Sequence, residues 1–204
     1  MYPLKLTITP GAWRLFSKRK SDAGFLKFSE KVFKRDNYTC QFCGFQAQDY
    51  QEVVNLDQNY LNNKLSNLVT ACCFCTQCFF IENVSVGKYG GGTLIYLPEI
   101  DQSSLNSFCH VLFCAVANDT GYKTSAQSIY RHFKMRAQAV EEEFGEGCSN
   151  PAVFGELCLD VILQNPSIVD RMLTNVRLLA SRGGFKTQVD HWAATALKEL
   201  AGEG

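Results

Sequence analysis

The chain has 204 residues, 46% of them hydrophobic, with 20 Lys and Arg balanced by 20 Asp and Glu. That composition excludes a wholly disordered chain, and zero net charge argues against a generally basic nucleic-acid binder. The length suits one domain or two small ones, and no apolar run approaches the ~20 residues of a membrane span.

The first residues, MYPLKLTITPGAWRLF, lack a basic region followed by an apolar core and a small-residue cleavage site, so a cytoplasmic chain is expected. Leu4, Leu6 and Ile8 alternate with Lys5, Thr7 and Thr9, which predicts a short strand over 4–9. Residues 14–35 carry eight basic and two acidic side chains, a local excess of six charges. Such a stripe reads as a solvated helix face or as a footprint for an anionic partner. Phe25, Phe28, Val32 and Phe33 recur at helical spacing and predict a helix over 26–36 ending near Asn37. Lys88–Gly92 reads as a glycine-rich turn leading into a strand over Thr93–Leu97, closed by Pro98.

From Asp101 onward the period becomes helical. Leu105, Phe108, Cys109, Leu112 and Val116 form one series, and Ile129, Phe133, Arg136, Ala137 and Val140 a second. Val153, Leu157 and Val161, then Ile168, Met172, Leu173, Val176 and Leu179, continue it, predicting a bundle of four or five helices. Pro151 and Pro166 suit helix starts, and Thr124–Ser125 and Asn165 suit caps. The expected division is a zinc unit over 1–98 and a helical unit over 99–204, unless the two form one compact fold.

Six of the ten cysteines fall between Cys40 and Cys78. In a reducing compartment such clustering favours a metal over disulfides. Cys40-Gln-Phe-Cys43-Gly44 has the spacing of a zinc knuckle, because two intervening residues let both sulfurs reach one ion at ~2.3 Å. The run Cys72-Cys73-Phe74-Cys75-Thr76-Gln77-Cys78 offers Cys72/Cys75 or Cys75/Cys78 as the second pair. With no histidine before His110, the expected site is one closed, structural four-thiolate Zn²⁺ centre. A thiol–disulfide pair or an iron–sulfur cluster are the weaker readings. Cys109, Cys114, Cys148 and Cys158 read as buried apolar residues.

The segment from Val32 to Cys75 resembles the HNH endonuclease family, in which a Lys-Arg-Asp helix end, two knuckles and an Asn-Leu-Val approach surround a β-hairpin. Lys34-Arg35-Asp36, Cys40, Cys43, Asn67-Leu68-Val69, Cys72 and Cys75 fall in that register. The resemblance therefore selects Cys72/Cys75, with Cys78 as a substitute, and implies an α+β fold with an HNH-like (ββα-metal) zinc module and a helical C-terminal half. At the family's general-base position stands Asn55, at the adjoining metal position Val54, and Thr76 follows Cys75. An amide takes up no proton at neutral pH and valine has no ligand atom, so no enzyme is expected even though Asp57 and Asn59 remain.

Across its whole length, with the run CCFCTQCFF and the helical second half, the chain resembles the DotN (IcmJ) family of the Dot/Icm type IVB secretion system. Membership implies a non-enzymatic adaptor in the coupling complex, supporting effector translocation at the cytoplasmic face of the bacterial inner membrane. It implies as partners the C-terminal region of the coupling ATPase DotL and other coupling-complex subunits. The alternatives are a nucleic-acid binder using the stripe Lys27–Arg35, and an active nuclease that recruits His110 or His132. Phe79, Phe80, Tyr89, Tyr96 and the C-terminal helices are the candidate partner surfaces, with core burial the competing role for each.

Overall fold

The extended N-terminal segment leads into helix α1 (Ala12–Lys20), which the sequence reading did not predict although Ala12, Phe16 and Arg19 fall on one face and are all buried. A computed structural model describes residues 1–87, 89–162 and 164–202. The expected strand over 4–9 does not form. Leu4, Leu6 and Ile8 do point into the core, but the segment makes isolated backbone bonds, from Tyr2 N to Gln41 O and from Thr7 N to Cys78 O, with no ladder. Alternation reported which side is buried; pairing needs a neighbouring strand, which is missing here.

Helix α2 (Ala23–Arg35) begins three residues before its predicted start because the Asp22 side chain accepts a hydrogen bond from Phe25 N. Strands β1 (Gln51–Asn55) and β2 (Leu68–Cys72) pair antiparallel, with Gln51 opposite Cys72 and Asn55 opposite Leu68. Chain then turns directly into the short helix α3 (Cys73–Thr76), followed by two 3-10 turns at Gln77–Phe79 and Ile81–Asn83. Strand β3 (Gly92–Tyr96) follows the predicted turn, whose first residue, Lys88, lies outside the described residues.

The second half holds α4 (Gln102–Ala117), α5 (Lys123–Met135), α6 (Ala137–Phe144), α7 (Pro151–Ile162), α8 (Pro166–Leu173) and α9 (Lys186–Leu200). It is not purely helical. Val176 and Leu179, read as a continuing helical period, belong to β4 (Val176–Ala180), which pairs antiparallel with β3 from Gly92–Ala180 to Tyr96–Val176. Leu178, Leu179 and Ala180 are all fully buried, so the strand is covered on both faces and lacks the alternation that marks a strand in sequence. Helix α5 starts at Lys123 without a side-chain cap from Thr124 or Ser125, and Asn165 stands at the N-cap position of α8 but makes no side-chain capping hydrogen bond.

The main core crosses residue 98 without interruption. It joins Leu4, Phe16, Phe74 and Phe80 to Phe113, Phe154, Leu179 and Val189. Helix α7 approaches the turn at Ile81–Asn83 so closely that a Cβ on Gly155 would lie 2.4 Å from Glu82 Cα. A smaller cluster of Val32, Val53 and Leu68, covered by Phe25, Phe28 and Phe33, holds α2 onto the β1–β2 hairpin.

Candidate metal centre

Gly44, at φ +77°, turns the chain back on itself after Cys43. Gly44 N donates to Cys40 O at 3.0 Å and Cys40 N to Phe45 O at 2.8 Å, and Gln41 N donates to Thr70 O at 2.8 Å, tying this knuckle to β2. Strand β2 delivers Cys72 at its end, and one turn of α3 places Cys75 on the same side. The Sγ atoms of Cys40, Cys43, Cys72 and Cys75 all lie within 4.8 Å of one another, and Cys43 and Cys72 are 3.6 Å apart. Four sulfurs held tetrahedrally at ~2.3 Å from one ion would be spaced by ~3.8 Å, so the cluster can hold a metal ion, and an all-thiolate donor set is consistent with zinc. Cys78 is not one of the four; its Sγ donates to Phe74 O at 3.3 Å.

Burial opposes ionisation of Cys40, but hydrogen bonds from Cys43, Cys72 and Cys75 outweigh it and hold this thiol far below its usual range. Burial pushes Cys72 and Cys75 well up. Without a cation, burial thus keeps Cys72 and Cys75 protonated. A dication supplies the countercharge that allows further sulfurs to ionise, which is why such sites bind metal with release of protons.

The sequence reading missed the flank of this centre. Helix α4 projects Gln102, Asn106 and His110, three polar residues at a four-residue interval, into the interior. His110 lies between Phe45 and Phe74, nearly parallel to both at centroid distances of 3.6 and 4.2 Å, and its Nε2 is 3.3 Å from Cys72 Sγ. Burial lowers the His110 pKa to about 3 against the pull of Cys40, so the ring is neutral. Asn106 Nδ2 lies 3.3 Å from Cys75 Sγ. The available signal was that i, i+4, i+8 polar stripe along α4.

Asn55 is fully buried on the opposite face of β1 from Val54, whose side chain sits in the main core. Asn55 Nδ2 donates to the carbonyls of Asn59 and Asn62 at 2.8 and 2.7 Å. Its Oδ1 accepts from Arg19 Nη1 at 2.5 Å, while Arg19 Nη2 donates to Val53 O at 2.7 Å and Nη1 also reaches Asn63 Oδ1 at 3.2 Å. The Arg19 guanidinium lies 4.2 Å from the Phe25 ring centre and 5.0 Å from that of Tyr60. Arg19, one of the eight cations of the 14–35 stripe, is thus buried and belongs neither to a solvated face nor to a free footprint. Asp57 accepts from Asn62 and Asn67 side chains and from Asn59 N, so its carboxylate organises the loop after β1. Thr76 is buried, donating to Cys72 O. His132 is exposed on α5 and His191 pairs with Asp49 at 3.0 Å.

No protein-family model matches the chain. It is 62% identical over 198 residues to the type 4 apparatus protein DotN of Legionella pneumophila subsp. pneumophila strain Philadelphia 1, a span of 97% of this chain and 92% of that relative.

Proposed function

The chain belongs to the DotN family of type 4 apparatus proteins, and from that premise we propose that it is a non-enzymatic adaptor of a type IVB coupling complex. In this reading Cys40, Cys43, Cys72 and Cys75 hold one structural zinc ion. The β1–β2 hairpin and α3 around these sulfurs support an HNH-like unit whose chemistry has been lost.

The observation that carries the non-enzymatic reading is the plug at Asn55. A hydrolytic site needs a base beside a water and an open coordination position for a cation. Here the side chain at the base position is sealed by a guanidinium and two carbonyls, and a fixed positive charge occupies the space beside it. Among the described residues no helix is long and apolar enough to cross a membrane. In this reading, attachment at the cytoplasmic face of the inner membrane runs through protein partners. The proposed partner is the C-terminal region of the coupling ATPase DotL. Phe79 and Phe80 belong to the core and Tyr89 is half-buried, whereas Tyr96, Leu26 and Leu61 expose apolar surface to such a segment.

Mixing the full chain with that isolated ATPase region should yield a stable co-eluting complex that several hundred millimolar salt weakens only modestly, because apolar anchors are screened little. Separate elution at micromolar concentration, or a complex that salt abolishes, refutes the adaptor reading; retention of nucleic acid in its place favours the lysines of α2 as phosphate contacts. Plasmid and single-stranded DNA should stay intact with Mg²⁺, Mn²⁺ or Ni²⁺. Cleavage that disappears on replacing His110 or His132 would overturn the non-enzymatic assignment.

A further inference from the structure

Gln102, Asn106 and His110 form a buried polar path from β4 to the metal centre. Gln102 Oε1 accepts from Leu178 N at 2.8 Å and its Nε2 donates to Leu178 O at 2.9 Å, so this side-chain amide pairs with the outer edge of β4 as a strand would. The same Nε2 donates to Asn106 Oδ1 at 2.9 Å. That contact fixes the Asn106 amide with its NH₂ facing Phe74 O, 3.2 Å away, and Cys75 Sγ. One helical turn further on, the stacked His110 ring directs Nε2 at Cys72 Sγ. A metal-bound thiolate carries no proton, so the hydrogen in that contact belongs to Nε2.

We propose that His110 is a positioning residue of the metal centre, donating Nε2–H to the Cys72 thiolate while Asn106 donates to Cys75. The helical half thereby sets the metal affinity of the N-terminal unit. The inference rests on reading the four cysteines as metal ligands. Four thiolates around a dication leave two excess negative charges in a site where Cys40, Cys72 and Cys75 are fully buried. Neutral N–H donors disperse that charge at the sulfurs and hold their lone pairs toward the ion. Both donors come from α4, which is packed against α9 and β4. Displacing α4 would strip two of the four ligands of their partners at once.

The test uses the full chain loaded with cadmium-113 or cobalt(II). In the cadmium form, a correlation between the metal and the His110 Hε2 proton is expected across the N–H···S contact; its absence overturns the proposal without any variant. His110→Phe keeps an aromatic ring between Phe45 and Phe74 and removes the donor. It should weaken metal binding by about 10- to 100-fold in chelator competition. It should also move the sulfur-to-cobalt charge-transfer band to longer wavelength, because an unbonded thiolate releases electrons more readily. His110→Gln, which restores an N–H, should recover part of both. Wild-type affinity and band position in His110→Phe would overturn the assignment. So would lost affinity with an unmoved band, which marks packing alone. A wild-type chain that takes up no metal stoichiometrically overturns the ligand reading first, and this inference with it.

Discussion

Replacing Arg19 with Ala separates a buried structural cation from a member of a solvated basic face. Arg19 is only 7% exposed and satisfies two buried acceptors, Val53 O and Asn55 Oδ1. Stripping a buried acceptor of its partner costs about 1–3 kcal/mol, so the two together cost about 2–6 kcal/mol. The lost stacking on Phe25 and Tyr60 adds to this. Burial works the other way: it lowers the Arg19 pKa to about 10, with the Tyr60 interaction opposing, so the fold already bears a desolvation penalty that the substitution relieves. A net loss of about 3 kcal/mol is expected. For a chain of this length that corresponds to roughly 6–12 °C in Tm. The assay is thermal unfolding of the metal-loaded full chain followed by circular dichroism, with Lys18→Ala as the exposed control, expected within about 0.5 kcal/mol of wild type. Arg19→Lys should resemble the alanine variant more than wild type, since an ammonium cannot reproduce the planar fork that reaches Asn55 and Val53 together. An Arg19→Ala shift no larger than that of Lys18→Ala would refute the reasoning and return this residue to the solvated stripe.

The metal centre predicts a sharp contrast between cysteines. Cys40→Ser should abolish stoichiometric metal uptake and destabilise the N-terminal unit, drawing on a binding free energy of about 10–16 kcal/mol at most, whereas Cys109→Ser in the core should cost only about 1–3 kcal/mol; elemental analysis with urea unfolding of both variants checks this. Elemental analysis that returned iron in fresh wild-type protein would contradict the zinc assignment. The pH dependence turns on Glu82, whose carboxyl is pushed up to about 7 by burial against opposing hydrogen bonds from its own backbone and from Asn83. The folded state holds this proton while the unfolded chain releases it near pH 4.5, so stability falls as pH rises between about 4.5 and 7 and levels off above. Glu82→Gln should therefore raise Tm at pH 8 relative to wild type and flatten that decline; an unchanged difference between pH 5 and pH 8 would count against it.

Much of the metal centre was legible along the chain because its determinants are local. The two-residue gap between Cys40 and Cys43 and the glycine after them describe a knuckle that needs only its own turn. The resemblance to HNH sequences then singled out Cys72 and Cys75 over Cys78, and these are the sulfurs that meet the knuckle. Helix α2 was visible for the same reason: an apolar face at i, i+3 and i+4 persists whatever covers it. Strand β4 was not, because Leu178, Leu179 and Ala180 are buried on both sides and an apolar run without alternation reads equally well as helix.

What the sequence by itself determined, then, is the cysteine pattern and the amphipathic period, properties carried by residues a few positions apart. Tertiary structure decided the environments. In sequence Arg19 is one of eight cations in a stripe, and it becomes a buried plug only because α1 lays it across Asn55, 36 residues away. His110 reads as a stray histidine until α4 places it against Cys72, 38 residues earlier. The polar stripe on α4 marks His110 only as inward-facing, and nothing near Arg19 or His110 in the chain names the residue each one meets. Each is set by how helices pack against the hairpin, and the energy that makes it favourable, desolvation balanced by hydrogen bonds, exists only once water has been excluded.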